Sequence, residues 1–278
     1  MRFPLKLNRQ YWRPLLCRIL PVANDVTAIT RSDVSPRQFG DAVCALKFGA
    51  TFKTTAQARY PLMIDALRNL SLSPAPVVLD VGASDGSASI STIEQLEYAR
   101  YYITDLNPLI YWTEQAGEYF FYDPSGLCIL VASARFVYYL DTEQALWPLG
   151  PIVERKLASA PVFNEHSCHK ALLINPAVPV DDTRVFVQKH DMFSAWTGEK
   201  PDIVIAANIL NQAYFDTDTL KRAIGRQIDA LAGQGYLAIV DNRPDERGSL
   251  FQFSNGKATL IKSINGGAEA EQQVQALI

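Results

Sequence analysis

Three features are scarce in this 278-residue chain, and each scarcity closes off a class of protein. The four cysteines, Cys17, Cys44, Cys128 and Cys168, show no paired spacing. That excludes a disulfide scaffold and makes a reducing cytoplasm the default setting. No uninterrupted apolar run approaches the ~20 residues that span a bilayer, so no transmembrane segment is expected. Histidines number only three, and two of them, His166 and His169, flank Cys168 in "NEHSCHK" beside Glu165. Ligands this crowded seldom share one tetrahedral ion without a distant partner, a place only His190 can fill. A surface loop is expected there, and no metal.

What is present is ordinary in amount and uneven in placement. The apolar share of 48% and the charged share of 20% suit a soluble globular protein. The net charge is −3, yet residues 1–70 carry 11 Lys/Arg against 4 Asp/Glu, while the remainder carries 15 against 25. Arg2, Lys6, Arg9, Arg13 and Arg18 lie in the first 24 positions, among Trp12, Leu15, Leu16, Ile19 and Leu20. Pro14 and Pro21 break a helix there and Arg18 interrupts the apolar stretch, so a signal peptide fits poorly. The expectation is an N-terminal arm over residues 1–53 that is solvated or packs on a domain. Peripheral membrane contact is the alternative.

Beyond the arm, periodicity predicts a helix over 54–70, with Tyr60, Met63, Leu67 and Leu70 on one face. A strand follows at Val77–Val81, then a glycine turn, a helix and the strand "YYIT". Later come the strand "RVFVQ" (184–188), the apolar run "DIVIAA" (202–207), a helix over 217–233 closed by Gly235, and the strand "YLAIV" (236–240). "SLFQF" and "ATLIKSI" flank an Asn-Gly pair, a strong hairpin signal. Short apolar strands alternating with helices imply a parallel sheet covered on both faces, here ending in an antiparallel strand.

The turn "VGASDGS" decides the ligand class. Dinucleotide sites use G-x-G-x-x-G, in which the middle glycine lets the backbone approach a pyrophosphate. Here Ser84 holds that place, and Asp85 sets a carboxylate beside any phosphate. The turn is also not a P-loop. S-adenosyl-L-methionine, a nucleoside with a cationic ammonium and sulfonium and no phosphate, fits better. Asp80 closes the first strand, where it favours the ammonium. Asp105 ends the second strand, where a carboxylate accepts hydrogen bonds from both ribose hydroxyls. Asp191, after the third strand, is placed to accept from the adenine amino group.

"LDVGASDGS", "ITDLNP", "KHDMF", "PDIVIAANIL" and "LAGQGYLAIVDN" together resemble the class I S-adenosylmethionine-dependent methyltransferases, over residues 54–105 and 183–264. The first motif keeps Asp80, Gly82 and Gly86 and departs from the family at Ser84. The resemblance implies an α/β, Rossmann-like doubly wound sheet, mostly parallel with an antiparallel C-terminal hairpin strand, in a domain over 54–278. It implies a cofactor site of Asp80, Gly82, Ala83, Ser84, Gly86, Asp105, Leu106, Asp191, Met192 and Asn208. Asn208, Asn211 and Tyr214, in "AANILNQAYF" at a strand's carboxyl end, are the candidates to line the transfer site. Asp241 and Asn242 stand at another strand end.

Residues 107–182 exceed what a crossover needs and are expected to form an inserted α+β cap. A helix is predicted at "NPLIYWTEQ", a hairpin at "EYFFYDPSGLCILVAS" and a third strand at "RFVYYL". Nine aromatics fall within residues 111–140, serving either as a wall for an acceptor or as the insert's own core. Only Arg135 accompanies them, which argues against a nucleic-acid platform. The expected reaction is methyl transfer to oxygen, nitrogen or carbon of a small or medium-sized acceptor. A catalytically silent, partner-binding relative and a nicotinamide-dependent oxidoreductase are the rival readings. Oligomeric state stays open.

Overall fold

Val77–Val81 is buried at all five positions, as a strand covered on both faces must be. The computed structural model describes residues 5–9, 21–49, 51–70, 72, 74–140, 149–242 and 244–277. Residues 1–4 and 10–20 of the basic arm, with Arg2, Trp12, Arg13 and Arg18, lie outside the described residues. The chain divides into two compact units, Ala56–Leu106 with Ala177–Ile278, and Met1–Thr55 with Asn107–Pro176.

The first of these carries every candidate site residue, and its elements are numbered within it. In chain order they are α1 (Pro61–Arg68), β1 (Val77–Val81), α2 (Ser87–Gln95), β2 (Arg100–Asp105), β3 (Val185–Lys189) and β4 (Ile203–Ala207). Then come α3 (Thr217–Ala230), β5 (Gln234–Asn242), β6 (Glu246–Ser254), β7 (Lys257–Ile264) and α4 (Glu271–Gln275). The seven strands form one sheet in the order β3-β2-β1-β4-β5-β6-β7. Neighbours from β3 to β5 are parallel, and β6 and β7 are each antiparallel to the strand before.

Alternation along β1 sorts its side chains between two faces. Val77, Leu79 and Val81 join Leu220, Ala223 and Ile224 of α3 and Val274 of α4 in one core. Asp80 points the other way, where Ser89 of α2 bonds it. The sheet is therefore covered on both sides, and the chain runs outward from β1 in one direction and from β4 in the other. The carboxyl ends of β1 and β4 lie where the direction of winding changes, the position at which open α/β sheets bind ligands.

Several boundaries differ from the sequence reading. The helix expected from residue 54 starts at Pro61, because the residue before a proline is pushed out of helical geometry and Tyr60 is at φ −141°, ψ 60°. Gly235 does not cap a helix: α3 ends at Ala230, and Gly235 is a residue of β5 whose missing Cβ gives room to Leu231 and the Asp202 carbonyl. The hairpin forms as expected, with Asn255 and Gly256 at φ 54° and 73°.

The second unit joins residues that the sequence reading kept apart. Its seven-stranded sheet runs 169–172, 109–115, 118–122, 128–132, 136–139, 5–8, 22–23, all antiparallel except the last pair. Residues 109–115 form a strand, not the helix predicted there. Ala116 and Gly117, at φ 53° and 75°, fold it tightly onto 118–122, and its aromatic and β-branched residues suit the sheet. The helix Pro36–Val43 covers one face, its start fixed by a Ser35–Gln38 capping box. Tyr111, Phe120 and Tyr122 pack with Leu157 and Phe163 on the other. Five of the nine clustered aromatics are thus buried in this unit's own cores. His169 stacks on Trp112 at 4.3 Å, and Glu165 accepts from the Tyr111 hydroxyl at 2.6 Å.

Candidate functional site

The chain leaves β1 through a turn with three positive φ angles: Gly82 at 66°, Ser84 at 60° and Gly86 at 74°. Positive φ and close neighbours together favour glycine at two of them. A Cβ on Gly82 would stand 2.9 Å from Ile209 Cγ2, and one on Gly86 would stand 3.1 Å from Val178 Cγ2. The Gly82–Ile209 contact also brings the turn against the loop after β4. Ser84 holds the left-handed conformation without glycine's freedom, a cost that sites of function often carry. Its N–H donates to Asp105 Oδ2 at 3.1 Å, while its own hydroxyl is sealed from solvent with no hydrogen-bond partner. The Ala83 N–H donates to the Thr104 carbonyl at 2.9 Å. The turn is therefore fastened to the end of β2.

Asp85 folds over the start of the following helix, whose N-cap position is Gly86. Its carboxylate accepts from the Ser87 N–H at 2.9 Å and the Ser87 hydroxyl at 2.8 Å. Helix N-termini bind phosphates through such free N–H groups. Here the chain's own carboxylate has taken that position.

Asp80, 2% exposed, lies beneath the turn. Its Oδ2 accepts from Ser89 Oγ at 2.7 Å and from Tyr101 Oη at 2.9 Å. Burial pushes its carboxyl up to about 6, against the lowering effect of those two hydroxyls. The Tyr60 and Tyr101 phenols are driven well above the usual range, first by burial and then by the Asp80 charge.

At the next strand ends, the Asp105 carbonyl accepts from the His190 N–H at 3.0 Å, which ties β2 to β3. Leu106 is exposed beside it. Asp191 turns the chain after β3, its Oδ1 accepting from the Phe193 N–H at 3.0 Å. The Met192 carbonyl accepts from Gln227 Nε2 at 2.8 Å, and its side chain leans on the α3-side core. Burial lowers the His190 imidazole, with Asp191 opposing.

After β4, Asn208 sits at φ 61°, an uncommon conformation for a residue other than glycine. Its N–H donates to the Val240 carbonyl at 2.7 Å, and its Oδ1 accepts from the Asn242 N–H at 2.8 Å, clasping β4 to β5. Asn211, 3% exposed, spends its amide on the same loop: Nδ2 donates to the Asn208 carbonyl at 3.2 Å and Oδ1 accepts from the Ala213 N–H at 3.1 Å. Tyr214 is 38% exposed. The Asn242 Oδ1 is sealed and has no partner, while its Nδ2 donates to the Arg59 carbonyl.

The structure thus gathers the glycine turn, Asp105, the loop after β3 and Asn208 along one carboxyl edge, with Asp80 below. Tyr101 and Ser89 escaped the sequence reading. A tyrosine in a buried strand looks like core, and nothing in the sequence marks where its hydroxyl ends.

No protein-family model matches the chain, and no curated protein matches it. Solved structures similar to it include S-adenosylmethionine-dependent methyltransferases. One is an O-methyltransferase family protein from Burkholderia thailandensis, at 15% identity over 76% of this chain and 42% of that one, TM-score 0.34. Another is an O-methyltransferase family 2 protein from Planctomyces limnophilus in complex with apigenin, at 16% identity over 65% and 37%, TM-score 0.33. A third is LepI in complex with SAM, at 12% identity over 74% and 35%, TM-score 0.33. The chain spans less than half the length of each of these three.

Proposed function

We propose that this chain binds S-adenosyl-L-methionine at the carboxyl edge of β1 to β4 and transfers its methyl group to oxygen, nitrogen or carbon of a small or medium-sized acceptor. In this reading the sheet is a Rossmann-like, doubly wound one. The observation that carries the proposal is the Ser84 N–H to Asp105 Oδ2 bond, which fixes a carboxylate at the lip of the glycine turn where a ribose diol would meet it. Asp85, filling the helix start, weighs against a pyrophosphate and so against the nicotinamide reading. The carboxylates of Asp80, Asp105 and Asp191 at this edge suit a cationic nucleoside with a ribose diol.

The roles proposed are Asp80 for the ammonium, Asp105 for the ribose hydroxyls, and Asp191 with Met192 for the adenine edge. Ala83 and Leu106 border the pocket. Asn208 and Asn211 hold the shape of the transfer-side loop, and the exposed Tyr214 faces the acceptor. When bound, the cofactor supplies a methyl group already activated for transfer, so positioning is the protein's main task.

Titration calorimetry with S-adenosylhomocysteine tests the reading. Binding in the micromolar range is expected, and Asp105→Ala should weaken it at least tenfold, the scale of losing charge-assisted hydrogen bonds. No heat at millimolar ligand would remove the proposal. Binding without turnover on any acceptor would favour the silent, partner-binding form.

A further inference from the structure

The acid beneath the turn is held asymmetrically. Both hydroxyls that reach Asp80, from Ser89 in the first turn of α2 and from Tyr101 near the start of β2, bond the same oxygen, Oδ2. Among the described residues these two are the side-chain hydrogen bonds that Asp80 accepts, and neither reaches Oδ1. Behind the pair stands a second layer of hydroxyls, with Thr92 Oγ1 donating to Tyr60 Oη at 3.5 Å. Two hydroxyls, one from α2 and one from β2, thus bond one buried carboxylate, and the Thr92–Tyr60 pair stands behind them. Burying a carboxylate costs free energy even when hydroxyls bond it, and an apolar residue would fit such a place at lower cost.

We propose that Tyr101 and Ser89 are positioning residues that anchor Asp80 by Oδ2, keep it ionised, and leave Oδ1 for the ammonium of a cationic ligand, so that acidification releases that ligand. The proposal rests on the cofactor reading for the ligand's identity, but the coupling of Tyr101 to Asp80 does not. Groups facing Asp80 are Ser89 and Thr92 from α2, Tyr101 from β2, and Tyr60 before α1. The charged neighbours Arg59 and Glu246 act on Tyr60. Among the described residues, the influences that oppose burial at Asp80 are the two hydroxyls. Removing either hydroxyl withdraws a bond made to the charged form and must raise the carboxyl's midpoint.

The test has two arms on the full chain. In the first, the Asp80 side-chain carboxyl is followed by carbon-13 NMR from pH 4 to pH 8 without ligand. The wild type is expected to titrate near pH 6. Tyr101→Phe, which preserves the ring, should move that midpoint up by about one pH unit, and Ser89→Ala should do the same by its own route. In the second arm, S-adenosylhomocysteine affinity is measured across the same range. Wild-type affinity should fall about tenfold per pH unit below the midpoint, and both variants should begin that fall at higher pH. Identical Asp80 midpoints in wild type and both variants would overturn the proposal. Shifted midpoints with no ligand binding at any pH would uphold the positioning role and remove the cofactor reading instead.

Discussion

A carboxylate taken out of water with only hydroxyls for company makes its fold less stable when ionised. Asp80 is pushed from its ordinary value of 3.8 to about 6, which corresponds to roughly 3 kcal/mol between its two protonation states. The folded chain holds this proton more tightly than the unfolded chain does. The penalty is therefore absent below about pH 4, grows through the interval up to about 6, and is complete above it. Asp80→Asn, whose carbonyl can still accept from Ser89 and Tyr101, should raise the unfolding free energy at pH 7.5 by on the order of 3 kcal/mol and leave it unchanged near pH 3.5. Urea denaturation at the two pH values measures both figures, and an Asn variant no more stable at pH 7.5 would contradict the account. The same substitution should weaken S-adenosylhomocysteine binding, so stability and affinity move in opposite directions.

The start of α1 is capped from a distance. Tyr60 offers no side-chain bond there, and Glu246 from β6 accepts from the Leu62 N–H at 2.9 Å and the Met63 N–H at 2.7 Å. Glu246→Ala strands two donors with few alternatives and should cost about 3 kcal/mol, with Glu246→Gln recovering about half, as read by chemical denaturation. A sequence scan cannot find such a cap, since 184 positions separate Leu62 from Glu246. Elements fixed by local chemistry were legible. The Asn255-Gly256 turn announces its hairpin, and an apolar run ending in Asp80 announces a strand with an acid at its mouth. Elements that take their form from neighbours were not. A helix is expected at Leu109–Gln115, and its pairing with 118–122 and 169–172, distant in part, makes it a strand. The Ser35-Pro36-Arg37-Gln38 start was legible in principle, being a capping box with proline at the first helical position.

At the scale of the molecule the chain passes between its two units at residues 55–56, 106–107 and 176–177. Every candidate cofactor residue lies in one of them. Hydrogen–deuterium exchange with S-adenosylhomocysteine should therefore slow the segments 80–86, 103–106 and 190–193. Protection confined to 118–132 would place the ligand elsewhere. Interleaving of this kind also sets a timetable for synthesis. Asn8 bonds the Ser133 carbonyl and Val77 bonds the Asp202 carboxylate, each across 125 positions. At ribosomal speeds that is a wait of about 6 to 25 s for each early strand. The unit begun first can be complete while the sheet bearing Asp80 still lacks five of its seven strands. The nascent chain should thus emerge with one half folded and the other holding an unclosed apolar edge, a natural client for chaperones at the exit tunnel.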